Sequence, residues 1–494
     1  MTFSLIPFLP ELTLLAALVL ILLATTVFPS RDGTMAYGIT QLALWIALAL
    51  LWSTQVRYIV NPQIVEGTVL RNSSTLLMQS AALIGLSLAL LYGRASLIRQ
   101  KLWQPETFLL FLCSTLGVIV VIGAYHFVPL YLGLELMALP LYAMVALRKD
   151  DTMSVEAGLK YFFLGALASG FMLYGISLIY GATGSLGLSA VAGAAMAADS
   201  SSHTLLLLGL FFLVSGVAFK LSAVPFHMWA PDVYRGAPTT VALFISTVPK
   251  LAAVVLLLRL MSGPLSSLLP YWQGILAFLA VLSMIVGAVA AIAQTNFKRM
   301  LAYSTIGHMG YLLLGALVGT QGGFSAAVFY ILTYVLSNLV AFGVLLSMNE
   351  TTDESSGALS RGSDLEDFHG LYKRSPIRAA LMTLAMLSLA GVPPLLGFYG
   401  KFAVIAAALM SGYVWLSVVA ILTSVIAAYY YLRVIRLMFF SSPDEERTSE
   451  FPCVGVVARV VLVLNGVGLL VLGLFPSVIL TLMEQALAWA RLLF

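Results

Sequence analysis

Apolar residues run along this chain in long, nearly unbroken blocks, without the 3.6-residue spacing of a helix that has one wet face. The blocks fall at 9–28, 37–56, 75–93, 104–124, 127–147, 155–180, 203–222, 238–261, 271–294, 299–319, 323–348, 376–410, 412–439 and 456–483. A bilayer core takes about 20 apolar residues per helical span, so each block predicts one membrane-spanning helix, fourteen in all. Transmembrane β-strands would show segments of ~10 residues with alternating polarity, and no segment alternates. The predicted fold is an all-α polytopic membrane protein. Gly391-Val392-Pro393-Pro394 interrupts the twelfth block, and the polar stretches 350–374 and 441–452 read as connections between spans.

Composition agrees with the pattern. Of 494 residues, 61% are hydrophobic and 9% charged, where a soluble domain carries about 25% charged residues. The net charge of +4 matters less than where the charges lie. Loops on the side reached after the first span hold seventeen Lys and Arg residues, including Arg31, Arg94, Arg148, Arg235, Lys298, Arg361, Arg433 and Arg447. The other side holds four, Arg57, Arg71, Arg259 and Arg491. A miscount of one span would scramble that split, so it supports fourteen spans, with the basic side in the cytoplasm and both termini outside. No basic residue precedes the first block, which is therefore expected to be retained as a span.

Spans 4–8 and 9–13 read as two five-helix units within a single membrane domain, 1–494. Three N-terminal spans (1–100) precede the units (104–261 and 271–439), and a last span (456–494) follows. Because five is odd, the second unit is inverted relative to the first, as in many transporters. The seventh span ends in Phe219-Lys220-Leu221-Ser222-Ala223-Val224-Pro225-Phe226, and the twelfth passes through Gly391-Val392-Pro393-Pro394 to Lys401. Both are predicted to be broken helices that carry a lysine.

Cys113 and Cys453 stand alone, and the five histidines show no ligand spacing, so no metal, cluster or nucleotide site is expected in this chain. The informative residues are ionisable groups inside spans: Glu135, Lys160, Lys220, Lys250, His308 and Lys401. Each costs ~2.5–3.5 kcal/mol at a helix centre on insertion scales, and such groups mark ion or proton pathways. A low-dielectric surrounding disfavours a charged side chain unless an opposite charge or a hydrogen bond supports it. Glu135 and Lys220 therefore read as a switchable pair, and Lys250, His308 and Lys401 as carriers of a proton, with waters between them. Plainer readings stand beside these. Lys160, about five residues into its block, is placed to snorkel. His308 could be a core histidine on a helix carbonyl. His227 and Trp229 read as interfacial anchors of a short re-entrant segment. Tyr429-Tyr430-Tyr431 reads as packing or interfacial belt.

Specific motifs add a resemblance. These are Leu134-Glu135-Leu136, Ala223-Val224-Pro225-Phe226-His227-Met228-Trp229-Ala230-Pro231-Asp232, Ser246-Thr247-Val248-Pro249-Lys250, Asn296 through Tyr311, and Gly391-Val392-Pro393-Pro394 to Gly400-Lys401. Together they resemble the antiporter-like family, which comprises the large membrane-arm subunits of respiratory complex I and of multisubunit cation/proton antiporters. Lys401, where the M-type branch typically has glutamate, and the Thr-Val-Pro-Lys of span 8 look most like the N-type branch. The family's usual Ala-Pro-Thr-Pro reads Ala237-Pro238-Thr239-Thr240 here. The resemblance implies a proton-translocating subunit of an NADH:quinone oxidoreductase in a bacterial inner membrane. Glu135, Lys220, Lys250 and Lys401 match the family's proton-transfer positions. It also implies that NADH, FMN, iron–sulfur clusters and quinone belong to other subunits. The expected partners are neighbouring antiporter-like subunits and lipid, with no nucleic acid. A cation/proton antiporter subunit and a ferredoxin-dependent relative of complex I are the alternatives. A row dominated by lysines disfavours a transported Na⁺ or K⁺.

Overall fold

The computed structural model describes residues 5–27, 32–56, 58, 62–348, 363–442 and 455–475. Arg31, Arg57, Arg361, Arg447, Arg491 and Cys453 lie outside the described residues, as do 476–494, 350–362 and 443–452 of the segments read above. Among the described residues, thirteen helices are long and apolar enough to cross a membrane. They are Leu9–Val27, Thr34–Gln55, Ser73–Arg99, Pro105–Gly123, Phe127–Val145, Thr152–Thr183, Ser200–Leu221, Thr239–Ser262, Leu269–Ile292, Phe297–Leu317, Gln321–Ser347, Val414–Phe440 and Val456–Leu474. The twelfth predicted span is present as two shorter helices, Pro376–Ala390 and Leu396–Met410. The seventh continues past its own break into Trp229–Gly236. The protein is thus a multi-pass, all-helical membrane protein whose breaks fall in the fourth member of each predicted run of five.

Local sequence explains where the spans begin. Asn72, Asp151, Asp199, Asn296 and Thr320 each accept a first-turn backbone N–H through a side-chain oxygen, which satisfies one of the donors a helix start leaves free. Close packing between spans relies on absent side chains. A Cβ on Gly175 of span 6 would stand 2.8 Å from the carbonyl oxygen of Gly209 on span 7, and one on Gly209 would meet Gly175 at 3.0 Å. Small residues let membrane helices approach this way, where van der Waals contact does much of the joining.

Burial is uneven, and the unevenness locates the centre. The apolar stretch of span 8 is 100% buried, that of span 10 is 94% buried and that of span 11 is 89% buried, against 28% for the first and last spans. The outer helices leave most of their apolar surface uncovered by this chain; spans 8, 10 and 11 are surrounded by protein.

One small sheet adds to the all-helical expectation. β1 (Gln63–Val65) and β2 (Val69–Arg71) pair antiparallel between spans 2 and 3. The hairpin buries Arg71 completely against Glu11, 2.8 Å away. Arg71 also donates to the Pro7 carbonyl at 2.9 Å. Arg259, read above as a loop charge like Arg71, is buried too and donates to the carbonyl of Ala124. Among the four charges of the sparse side, these two are structural.

Candidate functional site

The break in span 7 begins where its helix closes with a left-handed residue. Ser222 has φ 63°; its N–H reaches the Phe219 carbonyl at 2.9 Å, and the Ala223 N–H reaches the Ala218 carbonyl at 2.8 Å. This is the Schellman way of ending a helix. The chain then passes through a cis Val224-Pro225 bond before the helix resumes at Trp229. Carbonyls freed at a break must be satisfied by protein or water. Here Lys250 of span 8 does so, its Nζ donating to the Lys220 carbonyl at 3.0 Å and to Ser222 Oγ at 2.6 Å. That ammonium lies 5.2 Å from the centroid of the Trp229 ring. Pro249, the residue before Lys250, withdraws an N–H from the span 8 ladder.

Span 12 repeats the arrangement. Gly391 has φ 82°, and the Val392 N–H reaches the Leu387 carbonyl at 3.0 Å. A cis Pro393-Pro394 bond follows, and the helix resumes at Leu396. Lys401 Nζ donates to the Ala390 carbonyl at 2.9 Å and to Ser424 Oγ at 3.0 Å, and it lies 5.0 Å from the centroid of the Tyr311 ring. Both lysines therefore sit at the C-terminal end of a half-helix, where the macrodipole favours a cation. Hydrogen bonds from a charged donor contribute about 1.5–3 kcal/mol each, and a desolvated cation–π contact up to ~2 kcal/mol. Two such bonds and a ring contact are enough to offset the ~2.5–3.5 kcal/mol that insertion scales charge for a central lysine.

His308 lies on span 10 between them, buried, with both ring nitrogens occupied. Nδ1 is 2.6 Å from Tyr330 Oη and Nε2 is 3.0 Å from Tyr431 Oη. Tyr431 Oη also bonds Ser304 Oγ. A cavity of about 10 Å³, room for roughly one water, is lined by His308, Lys401, Tyr311 and Tyr431. Of Tyr429-Tyr430-Tyr431, read as packing or belt, Tyr429 is 57% exposed, while Tyr430 and Tyr431 are packed inside and also line this cavity. Trp229 is likewise no interfacial anchor. It is buried, stacked 4.5 Å from Tyr161, and its indole N–H donates to the Phe219 carbonyl at 3.0 Å. Sequence offered one local signal for such a cluster: Tyr330 and Tyr334 stand four residues apart on span 11, on one helical face.

The remaining predicted residues divide. Lys220 is buried at the last turn before the first break and feels the charge of Glu135, but the two form no contact ion pair among the described residues. Glu135 is half-buried, and its Oε1 is buried with no hydrogen-bond partner. Helical spacing puts it on one face with Leu132 and Leu139, which are 60% and 55% exposed. Lys160 does not join the buried row. It is 44% exposed and bonds Glu156 and Asp232, both at 2.8 Å. His227 is half-buried beside the first break. Where the family's Ala-Pro-Thr-Pro ends differently, Pro238 caps span 8 and Thr239 starts it, so the helix begins without the second proline.

Residues 124–427 match the family model described as NADH:quinone oxidoreductase/Mrp antiporter, TM. Over 485 residues the chain is 42% identical to NADH-quinone oxidoreductase subunit N of Nitrosomonas europaea, with 97% of each chain covered. The chain belongs to the NADH-quinone oxidoreductase subunit N family. Its fold matches a chain of respiratory complex I from Thermus thermophilus at 34% identity and a TM-score of 0.80, covering 97% of this chain and 100% of that one. A chain of the Mrp complex from Dietzia sp. DQ12-45-1b matches with a TM-score of 0.82 over 99% of this chain and 97% of that one, at 21% identity. The second likeness is one of fold alone. For a subunit N family member, the two lysine-capped breaks and the histidine between them are the natural place to look for function.

Proposed function

We propose that this chain is a proton-translocating membrane subunit of an NADH:quinone oxidoreductase, and that protons move along Glu135, Lys220, Lys250, His308 and Lys401. The observation that carries this reading is the pair of broken helices, each presenting its C-terminal carbonyls to a buried lysine ammonium. A carbonyl, a serine hydroxyl and an aromatic face support the ammonium while burial works against it, so the charged and neutral states of such a lysine lie close in free energy. Small changes in nearby charge then decide which state is favoured. Glu135 and Lys220 interact through space without touching, so a modest movement of either alters the balance along the row. Glu135 lies on a half-open face, where a neighbouring antiporter-like subunit would cover its carboxylate.

The electron chemistry belongs elsewhere: NADH, FMN, iron–sulfur clusters and quinone are assigned to other subunits. The chain sits in a bacterial inner membrane, in contact with lipid, with its basic loops in the cytoplasm and both termini outside. Lys160, an exposed member of a charged cluster, is assigned no step in the row. The test is Lys220→Ala and Glu135→Ala in the assembled oxidoreductase, with NADH-driven proton uptake measured in inverted membrane vesicles. Both variants are expected to lose most of the uptake while the complex still assembles. Pumping at the wild-type level in both would sink the mechanism.

A further inference from the structure

The charged row explains the lysines but not why the histidine between them is clamped by two phenols. Neutral imidazole has one N–H and one lone pair. Of its two tyrosine partners, one must then accept a hydrogen bond while the other donates. When Nε2 carries the proton, Nε2–H donates to Tyr431 Oη, whose own O–H is free to donate to Ser304, and the Tyr330 O–H donates to Nδ1. In the other tautomer every one of these bonds points the opposite way. The two arrangements use the same heavy atoms at the same distances.

We propose that Tyr431 and Tyr330 are proton-carrying residues, and that the chain Ser304–Tyr431–His308–Tyr330 is a hydroxyl relay through the imidazole ring. It rests on the function proposed above. A proton enters on the Lys401 side through the cavity that His308, Lys401 and Tyr431 share. Tyr431 takes that proton as it gives its own to Nε2. His308 is then briefly doubly protonated. The Nδ1–H bond breaks next: Tyr330 Oη takes that proton as it gives its own to a water molecule on its far side. Each oxygen ends with one hydrogen and the ring with one, so one proton enters, one leaves, and no electrons move. Tyr330 lies on span 11, which packs against span 8, the carrier of Lys250. One turn along span 11, Tyr334 bonds Thr305 at 2.8 Å and Asn338 at 3.0 Å, a second hydroxyl cluster on the same helix. The relay therefore leads from the Lys401 cavity across span 10 to span 11, the helix that packs against span 8.

Tyr330→Phe and Tyr431→Phe, made in the intact complex, remove one hydroxyl each and keep the ring. Ser304→Ala is a third and milder variant. Each phenylalanine variant is expected to lower proton uptake at least fivefold and to change its solvent deuterium isotope effect. The double variant should be no worse than the poorer single, because the two hydroxyls act in series. Wild-type uptake in either Phe variant would overturn the relay. So would lowered uptake with an unchanged isotope effect, or loss of assembly in all three variants, since the hydroxyls would then be structural. Lys401→Ala, measured alongside, separates the two ideas: wild-type uptake there removes the charged row itself, whereas its loss beside intact phenylalanine variants removes only the relay.

Discussion

The two helix breaks are built alike up to the cis proline and differently after it. In each, a residue in the left-handed region ends the first half-helix, the same pair of backbone bonds closes it, and a cis proline follows three residues later. After that, the second break closes on itself: the helix resumes at Leu396, and Lys401 of the same span turns back to the Ala390 carbonyl. The first break is longer, and its lysine comes from a different helix, Lys250 of span 8. It is also tied to the other five-helix unit, because the Val224 N–H donates to Ser283 Oγ of span 9 at 2.9 Å. The Lys401 ammonium thus finds its partners within the second unit, on spans 10, 12 and 13, whereas the break that Lys250 caps joins spans of both units. A change in packing between the units bears directly on the Val224–Ser283 bond of the first break, which has no counterpart at Lys401 among the described residues.

The strongest way to break this comparison is to remove the two lysines in turn. Lys250→Ala and Lys401→Ala should each reduce proton uptake at least ~10-fold, the factor set by 1.36 kcal/mol on a barrier, as measured in vesicles with assembly checked on native gels. If one variant alone kept its uptake, the two breaks would not be equivalent seats.

Exchanging the left-handed residues gives a smaller, opposed pair of effects. Gly391→Ala places a Cβ at φ 82°, 2.8 Å from Lys401 Cδ, and should cost roughly 1–3 kcal/mol. Thermal unfolding of the purified complex would show it as a lowered midpoint. Ser222→Gly relieves a strained φ but deletes an acceptor for Lys250, so stability should hold while proton uptake falls. Matched losses of stability at both sites would contradict this account of the first break.

Ser283→Ala removes the tie between units at a cost of about 1 kcal/mol. Faster hydrogen exchange at 222–228, with no change at 391–395, is the expected signature. Smallest of all is Lys160→Ala. Exposed ion pairs contribute little, and uptake within about twofold of wild type is expected; a tenfold loss would return Lys160 to the row.

How much of this was legible without the structure depends on the kind of information each feature needs. The spans were readable because crossing a bilayer is a one-dimensional requirement of length and hydropathy, met block by block. Both breaks were readable because glycine and proline act on their own backbone. Glu135, Lys220, Lys250, His308 and Lys401 were readable because a charge in an apolar run stands out at any orientation. That Tyr430 and Tyr431 pack beside His308 was not, since a buried tyrosine carries no mark of which neighbour its hydroxyl will meet. Trp229 was misplaced as an interfacial anchor.

By itself, then, the sequence determined that this is a many-span helical membrane protein, where two of its helices break, and that Glu135, Lys220, Lys250 and Lys401 lie inside its spans. Tertiary structure alone decided which carbonyl each lysine caps, that Lys160 points away from the row, and that His308 is held by two tyrosines from two other spans. The physical reason is that a helix apolar on every side has no distinct greasy face to turn inward. Which faces meet is settled by close packing among all the spans at once, and no single segment contains that information.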